Sequence, residues 1–122
     1  MVTHDRYKIS DFINEMGVSS EDIAVLFDQY FQEMNEEIHV IQKLLIENSL
    51  DMLQKVIHNV KGVSANLGIY DVQEKAVIID IKLKNKDNDD LGSQVNELEI
   101  LIEEAHREVQ SYFIGIGISL IQ

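Results

Sequence analysis

The chain has 122 residues, 45% of them hydrophobic, lacks both proline and cysteine, and sets 22 acidic against 10 basic residues for a formal net charge of −12. A field of that sign repels phosphate backbones and anionic membrane surfaces and argues against nucleic-acid binding, while the absence of cysteine excludes disulfides and thiol chemistry. Met1-Val2-Thr3-His4-Asp5-Arg6 has no apolar stretch of the secretion-signal kind, and no apolar run nears the roughly 20 residues that span a bilayer, so a cytoplasmic protein with no membrane segment is expected.

No linker rich in Pro, Gly or Ser interrupts the chain, which reads as one domain over 1–122 with its core in about 9–113. His4 falls in an N-terminal stretch expected to fray. Ile9, Phe12, Ile13 and Met16 then predict a short amphipathic helix, ended by Gly17 and placed as a lid. Ser19 offers an N-cap with Asp22 three residues on, and Phe27, Tyr30, Met34, Ile38, Ile41 and Leu45 recur at helical spacing. They predict a long helix over about 20–47, whose stripe Phe31 and Val40 widen enough to leave part of it exposed.

Asn48-Ser49 punctuates the chain, and the next helix runs from Leu50 to a stop at Leu67-Gly68. Asp71 reads as an N-cap paired with Glu74, heading a third long helix to about Lys84 with Val72, Ala76, Ile79 and Leu83 on its apolar side. After the polar loop Asn85 to Asp90, a helix over about 91–113 turns Val95, Leu98, Ile102, Ala105, Val109 and Tyr112 inward. Four long amphipathic helices on short loops predict an all-α, antiparallel four-helix bundle with a short additional N-terminal helix. The tail from Ile114 to Gln122 alternates Ile and Leu with Gly and Ser; it is too short for a membrane anchor, and is expected to fold back over a groove or to mediate self-association.

The second long helix carries the candidate chemistry. Projected at about 3.6 residues per turn, Leu53, Val56, Ile57, Val60, Val63 and Leu67 share one face, and His58 lies nearly opposite. Gly62 and Ala65 follow on the outward side, with Lys61 on the flank. A mid-helix glycine costs about 0.5–1 kcal/mol relative to alanine, so Gly62 needs a reason beyond helix stability, and clearance around the imidazole supplies one. Two readings stand at this level. His58 is either a solvated surface histidine or a nucleophile, since a neutral imidazole with a pKa of about 6.5 accepts a phosphoryl group and a nearby ammonium can hold the transferred oxygens. A protein-borne donor approaching in line would need this flat, uncluttered surface.

A competing reading comes from another class. Glu36-Glu37-Ile38-His39 and Glu103-Glu104-Ala105-His106 both contain Glu-x-x-His, the spacing by which di-iron carboxylate bundles bind metal. Ile38 and Ala105 hold the inward stripe, which leaves Glu36, His39, Glu103 and His106 on the flanks or outside. No Gly-rich nucleotide-binding motif is present, so no kinase activity of its own is expected. The acidic exterior reads as a solvated surface.

The run His58-Asn59-Val60-Lys61-Gly62-Val63-Ser64-Ala65-Asn66-Leu67-Gly68 resembles the histidine phosphotransfer (HPt) family pattern: His, two residues, Lys-Gly, a variable residue, a small residue, then Leu-Gly ten residues beyond the histidine. The resemblance extends over about 12–113 and implies a four-helix bundle whose histidine shuttles a phosphoryl group between receiver-domain aspartates in a multistep, two-component phosphorelay. It implies His58 as phosphoryl acceptor and donor, Lys61 as the phosphoryl-contacting cation and Gly62 as the clearance residue. Ser64 and Ala65 would hold the small positions and Gly68 the tight exit. The family often has glutamate or glutamine where this chain has Asp80, which leaves a role for Asp80 open. The implied partners are response-regulator receiver domains and a sensor (hybrid) histidine kinase. The chain would be a monomeric carrier with no cofactor, Mg²⁺ residing on the receiver. An excised phosphorylatable domain of a hybrid or chemotaxis-type kinase is the alternative within the class, against which Met1 and the absence of a terminal linker weigh.

Overall fold

In the computed structural model, which describes residues 4–121, the chain forms α1 (Ile9–Met16), α2 (Ser20–Ile46), α3 (Leu50–Asn66), α4 (Tyr70–Lys84) and α5 (Leu91–Gly115). Helix α2 packs on α3, α3 on α4, α4 on α5, and α5 closes back on α2, giving the four-helix bundle expected from periodicity. Its interior is continuous, with Phe27, Phe31, Met34, Leu53, Ile57, Ile79, Leu98 and Phe113 buried. The ring of Phe12 on α1 meets that of Phe27 edge-on at 6.3 Å, which seats α1 over one end of the bundle.

Local chemistry sets most of the boundaries. The Ser19 hydroxyl accepts the backbone N–H of Asp22 at 3.1 Å and so starts α2. The carboxylate of Asp5 accepts the N–H groups of Ile9 and Ser10 and the Ser10 hydroxyl, satisfying the first turn of α1 from four residues upstream. Gly68 sits at φ +71°, its N–H on the Ala65 carbonyl at 3.1 Å and the Ile69 N–H on Ser64 at 3.0 Å. This left-handed turn reverses the chain between α3 and α4 in three residues.

Several expectations are corrected. Asp71 does not cap α4, whose cap position is Ile69 with no side-chain hydrogen bond. Its carboxylate accepts the adjacent Val72 N–H at 3.0 Å together with Arg6 Nη2 at 2.7 Å and the Tyr7 hydroxyl at 3.2 Å, pinning the N-terminal segment to the head of α4. His4 is held there too, its Nε2 lying 2.9 Å from Glu108 on α5. Phe31, expected to broaden an exposed stripe, is buried and stacks on the His106 ring at 4.4 Å, while Val40 is exposed. Helix α5 runs two residues past Phe113 before the tail turns back. There Ile118 and Leu120 pack on the core, and the Ile121 N–H donates to the Asp28 carboxylate at 3.0 Å, the folded-back course expected of it. Met1 to Thr3 and Gln122 lie outside the described residues.

Replacing Gly68 by alanine should lower unfolding free energy by about 1 kcal/mol, because an L-residue at positive φ is strained. Urea denaturation reads this directly, and an unshifted midpoint would show that the turn relaxes without penalty.

Candidate functional site

Burial of Leu53, Ile57 and Val60 fixes the rotation of α3, and with it the direction of the opposite face. His58 emerges there with its side chain 66% exposed, and Gly62 and Ala65 are exposed beside it, as periodicity predicts. A Cβ built on Gly62 would meet nothing within 4 Å. No group of this chain, the imidazole included, therefore requires a glycine there. The space over Gly62 is open to solvent.

The centre of the site is a residue whose role the sequence left open. Asp80 on α4 is 2% exposed, and its Oδ2 receives Lys61 Nζ at 3.0 Å and Lys84 Nζ at 3.3 Å. The same oxygen lies 3.7 Å from His58 Nδ1, and Oδ1 faces Gln54 Nε2 at 3.5 Å. Burial pushes the Asp80 carboxyl up, but the hydrogen bonds and charges of Lys61 and Lys84 outweigh it and hold the group below the ordinary aspartate range. Asp80 is thus an anion at neutral pH, shared by two ammonium groups and one imidazole edge. Lys61 lies where expected on the flank of His58, but in this state its charge is engaged by Asp80.

A lone carboxylate beside the apolar stripe of Ala76, Ile79 and Leu83, with lysine four residues on, was the signal in the sequence. A buried anion needs cations, and the nearest are at Lys84 and across the groove on α3.

The remaining expected residues divide. Ser64 is not beside the histidine: it is wholly buried on the opposite side of α3, where its hydroxyl and that of Tyr30 are 2.7 Å apart. Its small size serves the α2–α3 contact. Gly68 shapes the exit turn at positive φ. Asn59 reaches α2, donating to Glu33 at 3.2 Å. The carboxylate-bundle residues are not brought together. Glu36, His39 and Glu103 are exposed, His106 stacks on Phe31, and no group of three or more His, Asp or Glu side chains suited to a metal forms among the described residues. No helix among these residues is long and apolar enough to cross a membrane.

Comparison with known proteins agrees with this geometry. The family model of the Hpt domain matches residues 25–108. The phosphorelay protein LuxU of Vibrio harveyi is 28% identical over 98 residues, which cover 80% of this chain and 84% of that protein. No solved structure gives a significant match.

Ser64→Ala should strand the buried Tyr30 hydroxyl and cost about 1–3 kcal/mol in chemical denaturation. Any histidine chemistry should be unchanged, since Ser64 faces the interior; a transfer defect at full stability would return Ser64 to the site. The Asp80 carboxyl is lowered on folding, so the stability it contributes is complete above about pH 4 and disappears as pH falls through the lower folded value. Thermal melts across acid pH should show this loss in the native chain. Asp80→Asn should be less stable at neutral pH with a shallower acid-side decline, and parallel curves would refute the assignment.

Proposed function

We propose that His58 carries the phosphoryl group in transit, and the premise is membership: the chain belongs to the Hpt domain family and is a histidine phosphotransfer protein of a phosphorelay. The observation that carries the residue assignment is the exposed imidazole with Asp80 on its Nδ1 edge and open space over Gly62. Asp80 Oδ2 lies 3.7 Å from Nδ1, and in this reading a proton on Nδ1 faces the carboxylate while Nε2 supplies the lone pair. Nε2 attacks the phosphorus of an aspartyl phosphate on a receiver domain, the bond from phosphorus to the acyl oxygen breaks, and the aspartate leaves as a carboxylate. The imidazole ring then bears the positive charge, opposite the Asp80 anion. The reverse step returns the phosphoryl group to a second receiver.

Lys61 is the cation that turns from Asp80 to the transferred oxygens, and Lys84 shares the same carboxylate oxygen within reach of them. Gly62 and Ala65 keep the approach low. The chain acts as a carrier, one monomeric module in the cytoplasm, with no metal or cofactor of its own and no kinase activity; Mg²⁺ belongs to the receiver. Receiver domains and a sensor kinase are its phosphorelay partners. That the Vibrio harveyi relative is a phosphorelay protein supports the same reading.

Incubation with a phosphorylated receiver domain should place an acid-labile, base-stable phosphate on this chain and none on His58→Gln. Equal labelling of that variant would refute the assignment of His58.

A further inference from the structure

Phosphoryl transfer makes a demand on Asp80 that His58 and Lys61 cannot meet by themselves. Lys61 Nζ lies 3.0 Å from Asp80 Oδ2, an oxygen of a side chain that is 2% exposed. When Lys61 turns to the phosphoryl oxygens, this buried carboxylate loses the nearest of its cations, and an anion out of water without a partner is strongly unfavourable. The positive charge of the imidazole comes too late to replace it, because that charge develops only as the bond from phosphorus to Nε2 forms. Gln54 Nε2, 3.5 Å from Oδ1, brings a dipole but no charge.

Lys84 fills the gap. Its Nζ lies 3.3 Å from the same Oδ2, and because it stands four residues on in α4, this pair stays inside one helix whatever opens across the groove. An i,i+4 ion pair between two exposed side chains contributes little. Here the lysine is 54% exposed but the carboxylate is buried, so the ammonium keeps its water while serving an anion that has none. The other α4 lysines are engaged elsewhere, Lys75 with Gln94 and Glu97, Lys82 with Asp87. Burial raises the Asp80 carboxyl, and Lys61 and Lys84 each lower it, so either ammonium favours the ionised form.

We infer that Lys84 is a positioning residue of the transfer: it balances the charge of Asp80 while Lys61 leaves, and so sets how readily Lys61 reaches the phosphoryl group. The inference rests on His58 being the phosphoryl carrier. The exchange is one of contacts, with no covalent bond made and no proton moved among the three side chains. The Asp80–Lys61 contact opens, Lys61 makes charge-assisted hydrogen bonds to the phosphoryl oxygens, and the Asp80–Lys84 contact persists. Without Lys84, Lys61 would be the one ammonium left on Asp80 and would be held there, withdrawn from the transition state it has to stabilise. A neutral side chain at position 80 would make Lys84 dispensable.

The test uses the full chain with two donors: phosphoramidate, a small molecule that needs no docking surface, and a phosphorylated receiver domain. Lys84→Met removes the charge and should be labelled roughly tenfold more slowly by either donor, while KM for the receiver changes by less than about twofold. Lys84→Arg, which keeps the charge, should stay within about threefold of the native rate. In an Asp80→Asn chain, slowed in its own right, adding Lys84→Met should cost less than about twofold more, since no anion is left to balance. Circular dichroism checks the fold of each variant. If Asp80→Asn does not fold, proton exchange of the Lys61 ammonium, followed by NMR, takes its place and should be slower in Lys84→Met than in the native chain. Native rates in Lys84→Met, an equal slowing in the Asp80→Asn background, or unchanged ammonium exchange would overturn the inference while leaving His58 as carrier. A defect confined to KM for the receiver would overturn it too, by making Lys84 a docking contact. If phosphoramidate labels His58→Gln as well as the native chain, the assignment of the carrier itself fails.

Discussion

The Asp80 carboxylate is the constraint on which the rest of the site depends. An ionised carboxylate taken out of water without partners costs several kcal/mol, and here two ammonium groups from different helices share one of its oxygens. Lys61 reaches the carboxylate from α3, so a slide of one turn between α3 and α4 would leave the anion with Lys84 of its own helix alone. The carboxylate also lies 3.7 Å from the Nδ1 edge of the exposed imidazole. One buried charge thus joins α3 to α4 directly beside His58.

The remaining helices act as the frame that holds this pair still. The Tyr30–Ser64 hydrogen bond ties α2 to the inward side of α3, opposite the histidine. Burial pushes the Tyr30 phenol up, with the Ser64 hydrogen bond offsetting only part of the effect, so the hydroxyl stays protonated. Arg6 and Tyr7 hold the head of α4 through Asp71, and Lys75 joins α4 to Gln94 and Glu97 on α5. Each of these contacts lies away from the groove, which leaves His58, Gly62 and Ala65 free of intrachain neighbours on their outward side. A phosphoryl carrier needs this division between a rigid interior and an uncovered nucleophile.

The misread residues share a cause. Asp71 has the spacing of a cap with Glu74, yet its carboxylate is taken by Arg6 and Tyr7, more than 60 positions away. Ser64, expected only to hold a small position in the motif run, falls on the buried face with Tyr30. His4 looks frayed until α5 presents Glu108 to it. In each case a polar side chain with several available partners chose among them by where distant helices placed those partners.

The sequence by itself determined the five helices to within about two residues, the outward direction of His58 and the turns at Gly17 and Gly68. Hydrophobic period, capping hydroxyls and positive-φ glycines act over a few residues, so neighbours in the chain suffice to read them. Only the tertiary structure decided that Asp80 gathers Lys61 and Lys84 beside the imidazole, and that no group of this chain comes within 4 Å of where a Cβ at position 62 would lie. Charges that meet across a groove are set by helix packing and register, and a single helix's sequence contains its own face but not what lies opposite.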